Sequence, residues 1–331
     1  MISSQELEKE ISRRLEKELR EETLLSQVPK LREVIDSYLG RGAKLLRPLL
    51  LLEAAAAYES DTPSPTEPLY QLAAATELLH VFALMHDDRI DASGRPGVSP
   101  PETPEDRPFL VLAGDLLHTI AVEMIHETVG FWKLPPAITA WVKRVSVRTI
   151  AGQALELSRF DAEGSLPTLE ALFQLYDLKT GYYTFVAPLI IGALAAEGET
   201  DASQLPEADL PILEEIGLLL GRAFQLKDDA EDTARLTKNA SDTDIPPWEL
   251  GLLLTYLARE GQAERARRIV SGYESRRNEL RAVSLEALNT WASRTGEELL
   301  AEAERIAKSL SISPSRSERL VKRAASIAEL V

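Results

Sequence analysis

Two stretches carry acids in a spacing that can do chemistry. "MHDDRID" (85–91) and "FQLKDDAED" (224–232) each hold an Asp-Asp pair and a third Asp three residues on: Asp87, Asp88 and Asp91, then Asp228, Asp229 and Asp232. On a helix, positions i and i+4 share a face one turn apart. Asp87 and Asp91 therefore lie together, as do Asp228 and Asp232, with Asp88 and Asp229 beside them. Two carboxylates about 4 Å apart repel by roughly 4 kcal/mol at an effective dielectric near 20. Such a group stays in water, takes up a proton or holds a cation. Magnesium suits the last case, since it prefers a few carboxylates together with phosphate oxygens. One copy in an acidic helical chain is more simply an exposed helix end. Two copies, each behind an apolar run, point to metal-bridged binding of a diphosphate, and the chain has no glycine-rich phosphate loop of the P-loop type.

The elements that must position these acids read as helices. Apolar residues recur every three to four positions and convincing period-two runs are lacking. Ser4 is placed to cap a first helix to about Leu25, followed by "KLREVIDSYL" and by "LLRPLLLLEAAAAYES", where Pro48 is tolerable in a first turn. A break at 60–68 precedes a long helix from about Leu69 to Asp91. The segment 94–108 holds five of the 19 prolines and reads as a loop. Helical pattern resumes through the second acid group, a polar break is expected over 233–247, and Arg- and Glu-rich amphipathic helices complete the chain. No composition shift marks a second domain, so one all-α domain is expected over 1–331.

The bulk numbers agree. The chain has 331 residues, 44% hydrophobic and 6% aromatic, which favours helices and is enough for a substantial core. A net charge of −16 argues against nucleic acid as a partner. The absence of cysteine excludes disulfides and thiolate metal sites and fits the cytoplasm. The charged N-terminus lacks the pattern of a signal peptide. The greasiest patch, "FVAPLIIGALAA" (185–196), is shorter than the roughly 20 residues that span a bilayer, so no transmembrane segment is expected.

With the two acid groups in place, the chain resembles the trans-isoprenyl diphosphate synthases, the polyprenyl synthetases. "GAKLLRP" (42–48), "MHDDRID", "LAGDLL" (112–117), "AGQALEL" (151–157), "LYDLKTGYYTF" (175–185) and "FQLKDDAED" fall in the family's order across about 40–245. The resemblance implies a bundle of long helices of the isoprenoid synthase type around a central apolar cavity. The acids would sit at its mouth, facing each other, with the greasy part of each helix walling the cavity. It implies magnesium bound by Asp87, Asp88, Asp91, Asp228, Asp229 and Asp232. It places Lys44, Arg47 and His80 on the diphosphate of isopentenyl diphosphate, and Arg95, Lys179 and Lys238 on that of the allylic substrate. Thr180 and Gln225 would aim their dipoles at the developing cation. Phe82, five residues before Asp87, would floor the cavity and hold the product to about fifteen to twenty carbons, because pocket shape sets specificity. A homodimer is the family's common form.

The chain departs from the family pattern in places. Ala43 and Leu45 stand for a glycine and an arginine, and Pro96 for an arginine that helps bind isopentenyl diphosphate; Lys238 lacks a preceding glycine. Two further readings stay open beside chain extension. One is an enzyme that cyclises or irregularly couples a prenyl diphosphate; the other is a non-catalytic subunit of a prenyl synthase.

Overall fold

A computed structural model describes residues 27–39, 44–58, 67–90, 107–159, 166–197, 208–239, 250–271, 278–280 and 282–330, with 9, 12–14, 16, 17 and 20 near the N-terminus. Among the described residues there are helices and turns and no strand. The expected first helix, Ser4 to about Leu25, lies largely outside them. The chain divides into two compact units, residues 1–141 with 188–205, and residues 142–187 with 206–331.

The first unit holds α1 (Pro29–Leu39), α2 (Leu46–Tyr58), α3 (Glu67–Ile90) and α4 (Arg107–Phe131). The helix α3 packs on α4 and on α2. Its middle is "LAAAT", all buried, and these small side chains let neighbouring helices approach closely. Leu50, Leu51, Leu72, Leu78 and Met85 are fully buried beside them, each contributing about 1.5–3 kcal/mol relative to exposure. The start of α4 corrects the expected loop. Arg107 and Pro108 are already helical. A proline is accepted in a first turn because its missing N–H had no intrahelical partner.

The second unit is built on α8 (Asp209–Asn239), 31 residues and about 46 Å long at 1.5 Å per residue. It packs along α11 (Leu285–Ala307), and it also touches α9 (Gly251–Arg259), α6 (Leu169–Tyr176) and α12 (Pro314–Ile327). Asp209 opens α8 from a buried position, where its carboxylate accepts Ser311 N–H at 3.1 Å and Ser311 Oγ–H at 2.7 Å. Thr168 and Ser284 cap α6 and α11 through their hydroxyls. The polar break expected over 233–247 is corrected in part, since α8 continues to Asn239. Thr233 is buried, and Thr237 returns its hydroxyl to Thr233 O at 2.8 Å. Polar composition there is absorbed inside the helix. The described helices also include α5 (Ala137–Arg159) and the short α10 (Ala263–Ser271).

One continuous helical stretch runs from Leu169 to Glu197: α6, then a π-helical segment (Asp177–Val186), then α7 (Ala187–Glu197). By length and composition it could cross a membrane, so the shortness of 185–196 taken alone does not settle that point; 83% of its most apolar window is buried in protein. Pro108–Phe131 passes the same test with 44% buried. Burial explains the apolar composition of the first of these stretches as that of a core helix.

Candidate active site

The π segment and α8 run antiparallel in close contact, and glycines set how close. A Cβ on Gly221 would lie 2.7 Å from Gly181 Cα, and one on Gly217 would lie 2.9 Å from Val186 N. With side chains removed at the crossing, polar groups beyond it meet directly. Thr180 Oγ1 donates to Gln225 Oε1 at 2.8 Å, and Gln225 Nε2 donates to Asp229 Oδ1 at 2.7 Å. Tyr176 OH donates to Asp229 Oδ2 at 2.5 Å. Both oxygens of Asp229 are thus held. Burial pushes its carboxyl up to about 6, against the pull of the Tyr176 and Gln225 hydrogen bonds and with the help of neighbouring Asp228. Burial and Asp229 in turn push the Tyr176 phenol well up, so it stays a donor.

The rest of the second unit's site surrounds this row. Lys179 Nζ bonds Glu156 Oε2 at 2.6 Å, which holds the ammonium in place. Asp228 is exposed, while Asp232 pairs with Arg235 one turn on. Arg222 grips Asp177 with two hydrogen bonds of 2.7 Å. Lys238 lies in the last turns of α8, and nothing of its side chain is described.

In the first unit, Asp87 and Asp88 are half-buried two to three residues before the end of α3. Tyr38, buried on α1, donates its hydroxyl to Asp88 Oδ2 at 2.7 Å. Asp91 and Arg95 lie outside the described residues. One turn to the other side, Phe82 packs its ring 4.6 Å from His86 and 4.8 Å from His118. His86 also faces Asp115 at 3.4 Å.

The residues matched to isopentenyl diphosphate sit in the same unit. Lys44 is exposed and Arg47 is 7% exposed in the first turn of α2. Between them Leu45 is buried with φ 49°, a left-handed conformation that costs a non-glycine residue about 1–3 kcal/mol. Burial and the Arg47 charge push the imidazole of His80 well below its ordinary range, so it is a neutral N–H donor at pH 7. Glu77, three residues earlier on α3, is buried, and burial raises its carboxyl despite Arg47.

The described acids of the two groups have different partners. Among the described residues no three Asp, Glu or His side chains converge on one point. In the second group Asp228 faces solvent, Asp229 turns to Tyr176 and Gln225, and Asp232 turns to Arg235. Tyr38, Tyr176, Glu156, Asp177 and Arg222 are not legible as site residues from the sequence alone. Their partners are 23 to 53 positions away, and no local spacing announces such pairs. The one available signal was position: Arg222 shares a face of α8 with Gln225 and Asp229, at i, i+3 and i+7.

The donor set fits a hard divalent cation. Every candidate ligand is a carboxylate oxygen, the choice of magnesium and calcium rather than of softer metals. Asp229, half-buried beside Asp228, is lifted to about 6 by burial, and the nearby Lys179 offsets that only in part.

The polyprenyl synthetase family model matches residues 28–290. Geranylgeranyl diphosphate synthase of Saccharolobus solfataricus is 31% identical over 198 residues, 57% of this chain and 53% of that one. Farnesyl diphosphate synthase of Geobacillus stearothermophilus is 31% identical over 215 residues, 61% of this chain and 66% of that one. The matches thus span about half to two thirds of these relatives. The crystal structure of geranylgeranyl pyrophosphate synthase from Corynebacterium glutamicum, complexed with isoprenyl diphosphate and magnesium, superposes with a TM-score of 0.73 at 20% identity, covering 98% of each chain. An all-α isoprenoid synthase fold, two Asp-Asp helices and this match define the class: the chain belongs to the polyprenyl synthetase family.

Proposed function

We propose that the chain is a short-chain trans-prenyltransferase that joins isopentenyl diphosphate to an allylic diphosphate. The observation that carries this reading is the row formed by Lys179, Thr180, Gln225 and Asp229 on one glycine-tightened helix pair. In it Thr180 bonds Gln225 and Gln225 bonds Asp229, while Lys179, next to Thr180 in the chain, is paired with Glu156.

Asp87, Asp88, Asp91, Asp228, Asp229 and Asp232 would hold magnesium, with Asp228 the exposed one of its pair. When bound, magnesium supplies Lewis-acid stabilisation of the leaving pyrophosphate. The chain's residues do the rest. Lys179, Lys238 and Arg95 bind the allylic diphosphate, and Glu156 orients the Lys179 ammonium. Lys44, Arg47 and the neutral N–H of His80 bind isopentenyl diphosphate. The allylic C–O bond breaks, its electron pair leaving with pyrophosphate. The Thr180 and Gln225 dipoles face the carbocation, in the manner of preorganised groups aimed at developing charge. The double bond of isopentenyl diphosphate attacks that carbon, and a proton is lost to the pyrophosphate. Apolar walls keep water from quenching the cation. Phe82, wedged between His86 and His118, floors the cavity and sets a product of about fifteen to twenty carbons, since a filled pocket rejects a longer chain.

We read the chain as one functional domain working in the cytoplasm as a homodimer. Exposed apolar side chains support pairing: Val111, Leu112 and Val122 on α4, and Val147, Ile150 and Leu157 on α5. On α5 they stand at i, i+3 and i+10, on one face of the helix.

The test is turnover. Purified protein with magnesium and geranyl or farnesyl diphosphate, with and without isopentenyl diphosphate, is analysed by mass spectrometry. Elongated diphosphates formed only with the co-substrate are expected. Hydrocarbons or alcohols formed without it would assign cyclisation or irregular coupling, and no turnover with any allylic diphosphate would assign a non-catalytic subunit.

A further inference from the structure

We propose that Arg222, paired with Asp177, is a positioning residue for prenyl transfer: it fixes where the α-helix gives way to the π segment, and so sets the direction of Lys179 and Thr180. The inference deepens the prenyltransferase reading and rests on it.

The hand-over is local and visible. Asp177 N–H still returns to Phe173 O, four residues back, whereas Ala187 N–H returns to Tyr182 O, five back. Helices of the second kind are rare and mostly single turns, yet this one runs for ten residues. Something outside its own backbone must hold it. A slip of one residue back to α geometry would swing each following side chain by about 100° around the axis. Thr180 would leave Gln225 and Lys179 would leave Glu156.

Arg222 grips both sides of the junction. Its Nε and Nη2 each donate to an oxygen of Asp177, the first residue of the π segment, at 2.7 Å. Its guanidinium also lies 5.4 Å over the ring of Phe173, whose carbonyl accepts the Asp177 N–H. The paired side chains are 22% and 15% exposed, little screened by water. A planar two-point fork fixes rotation as well as distance, which a lysine's point charge does not. The same face of α8 then presents Gln225 and Asp229 to Thr180 and Tyr176. One clamp at position 222 thereby sets the register of the whole row.

The test combines kinetics with amide exchange. Arg222→Met keeps the stem over Phe173 and loses the fork. It is expected to lower kcat by about ten- to a hundredfold, as small misplacements do, with KM for isopentenyl diphosphate within about twofold. Arg222→Lys restores part of kcat at most. Because Arg222→Met strands the Asp177 charge and is liable to fold poorly, Arg222→Met/Asp177→Leu is measured beside it, with no charge left orphaned and the same kcat loss expected. In each variant the amides of 178–185 exchange faster than in the wild type. A merely structural pair would lower thermal stability and leave kcat of the folded fraction unchanged, and kcat within twofold of wild type in the double variant overturns the proposal. If the wild type itself turns over no allylic diphosphate, the functional reading fails instead, and unchanged exchange over 178–185 then disproves the clamp independently.

Discussion

The two acidic helix segments share a sequence pattern and differ in mechanical setting. Asp87 and Asp88 sit within the last turn of α3, half-buried, with Tyr38 fastening one oxygen of Asp88. Asp228 and Asp229 sit ten or more residues inside α8, and Asp229 has both oxygens fastened, by Tyr176 and Gln225. A helix end frays and adapts, whereas a mid-helix position packed on a second helix does not. We propose that Asp87 and Asp88 form an adjustable grip in the first unit, and Asp228 and Asp229 a preformed one in the second. A buried tyrosine backs the second aspartate of each pair.

The largest effect expected is the loss of the first carboxylate of either pair. Asp87→Asn and Asp228→Asn should each lower kcat/KM by about 10²–10³, the scale for removing one stabiliser of a developing charge. Steady-state kinetics at saturating magnesium measure it, and a variant within tenfold of wild type would deny that end its role. The tyrosines then separate the two ends. Tyr176→Phe frees an oxygen of the rigid grip and should raise the magnesium concentration for half-maximal rate by about 10–100-fold, whereas Tyr38→Phe at the adaptable end should cost less than about tenfold. Equal or reversed costs would break the comparison.

A pH prediction sharpens it without turnover. The Asp229 carboxyl is about 6 in the folded chain, above the usual carboxylate range, because it is buried. The folded state therefore binds the proton more tightly than the unfolded one. Its favourable contribution is complete below about pH 4 and is lost as pH rises through about 6. Asp229→Asn in metal-free protein should then be more stable than wild type at pH 8 by on the order of 2 kcal/mol, and equal to it near pH 4. Chemical denaturation in EDTA at the two pH values checks this, and a variant less stable at pH 8 would contradict it. The smallest energetic effect, though a visible one, belongs to the first unit. Phe82→Ala should lengthen the product by about one five-carbon unit, read by mass spectrometry, since the deleted ring opens volume in the pocket. An unchanged product would remove Phe82 as the floor.

Much of this fold was legible because helices announce themselves through periodicity, and the acid groups through a spacing that only a helix makes meaningful. The breaks at 94–108 and 233–247 were overdrawn because proline and polar composition both read as interruptions, yet Pro108 stands in a first turn and Thr237 bonds back along its own helix. The site was legible as residue types and not as arrangement. Lys179, Thr180 and Gln225 were singled out by resemblance. That Thr180 bonds Gln225, and that Arg222 clamps Asp177, depends on a π segment that leaves no periodicity of its own to read. Burial made the other difference: a carboxylate's proton affinity follows from what covers it, and for Asp229 the cover is Tyr176, from a helix 53 residues earlier.

The most direct measurement is a calorimetric titration of farnesyl thiolodiphosphate, an allylic analogue that resists ionisation, into the protein with magnesium and again in EDTA. Binding that needs magnesium, and that Asp228→Asn abolishes, is the result expected of carboxylates gripping a diphosphate through a divalent cation. Equal affinity in EDTA, or no binding in either condition, would contradict it.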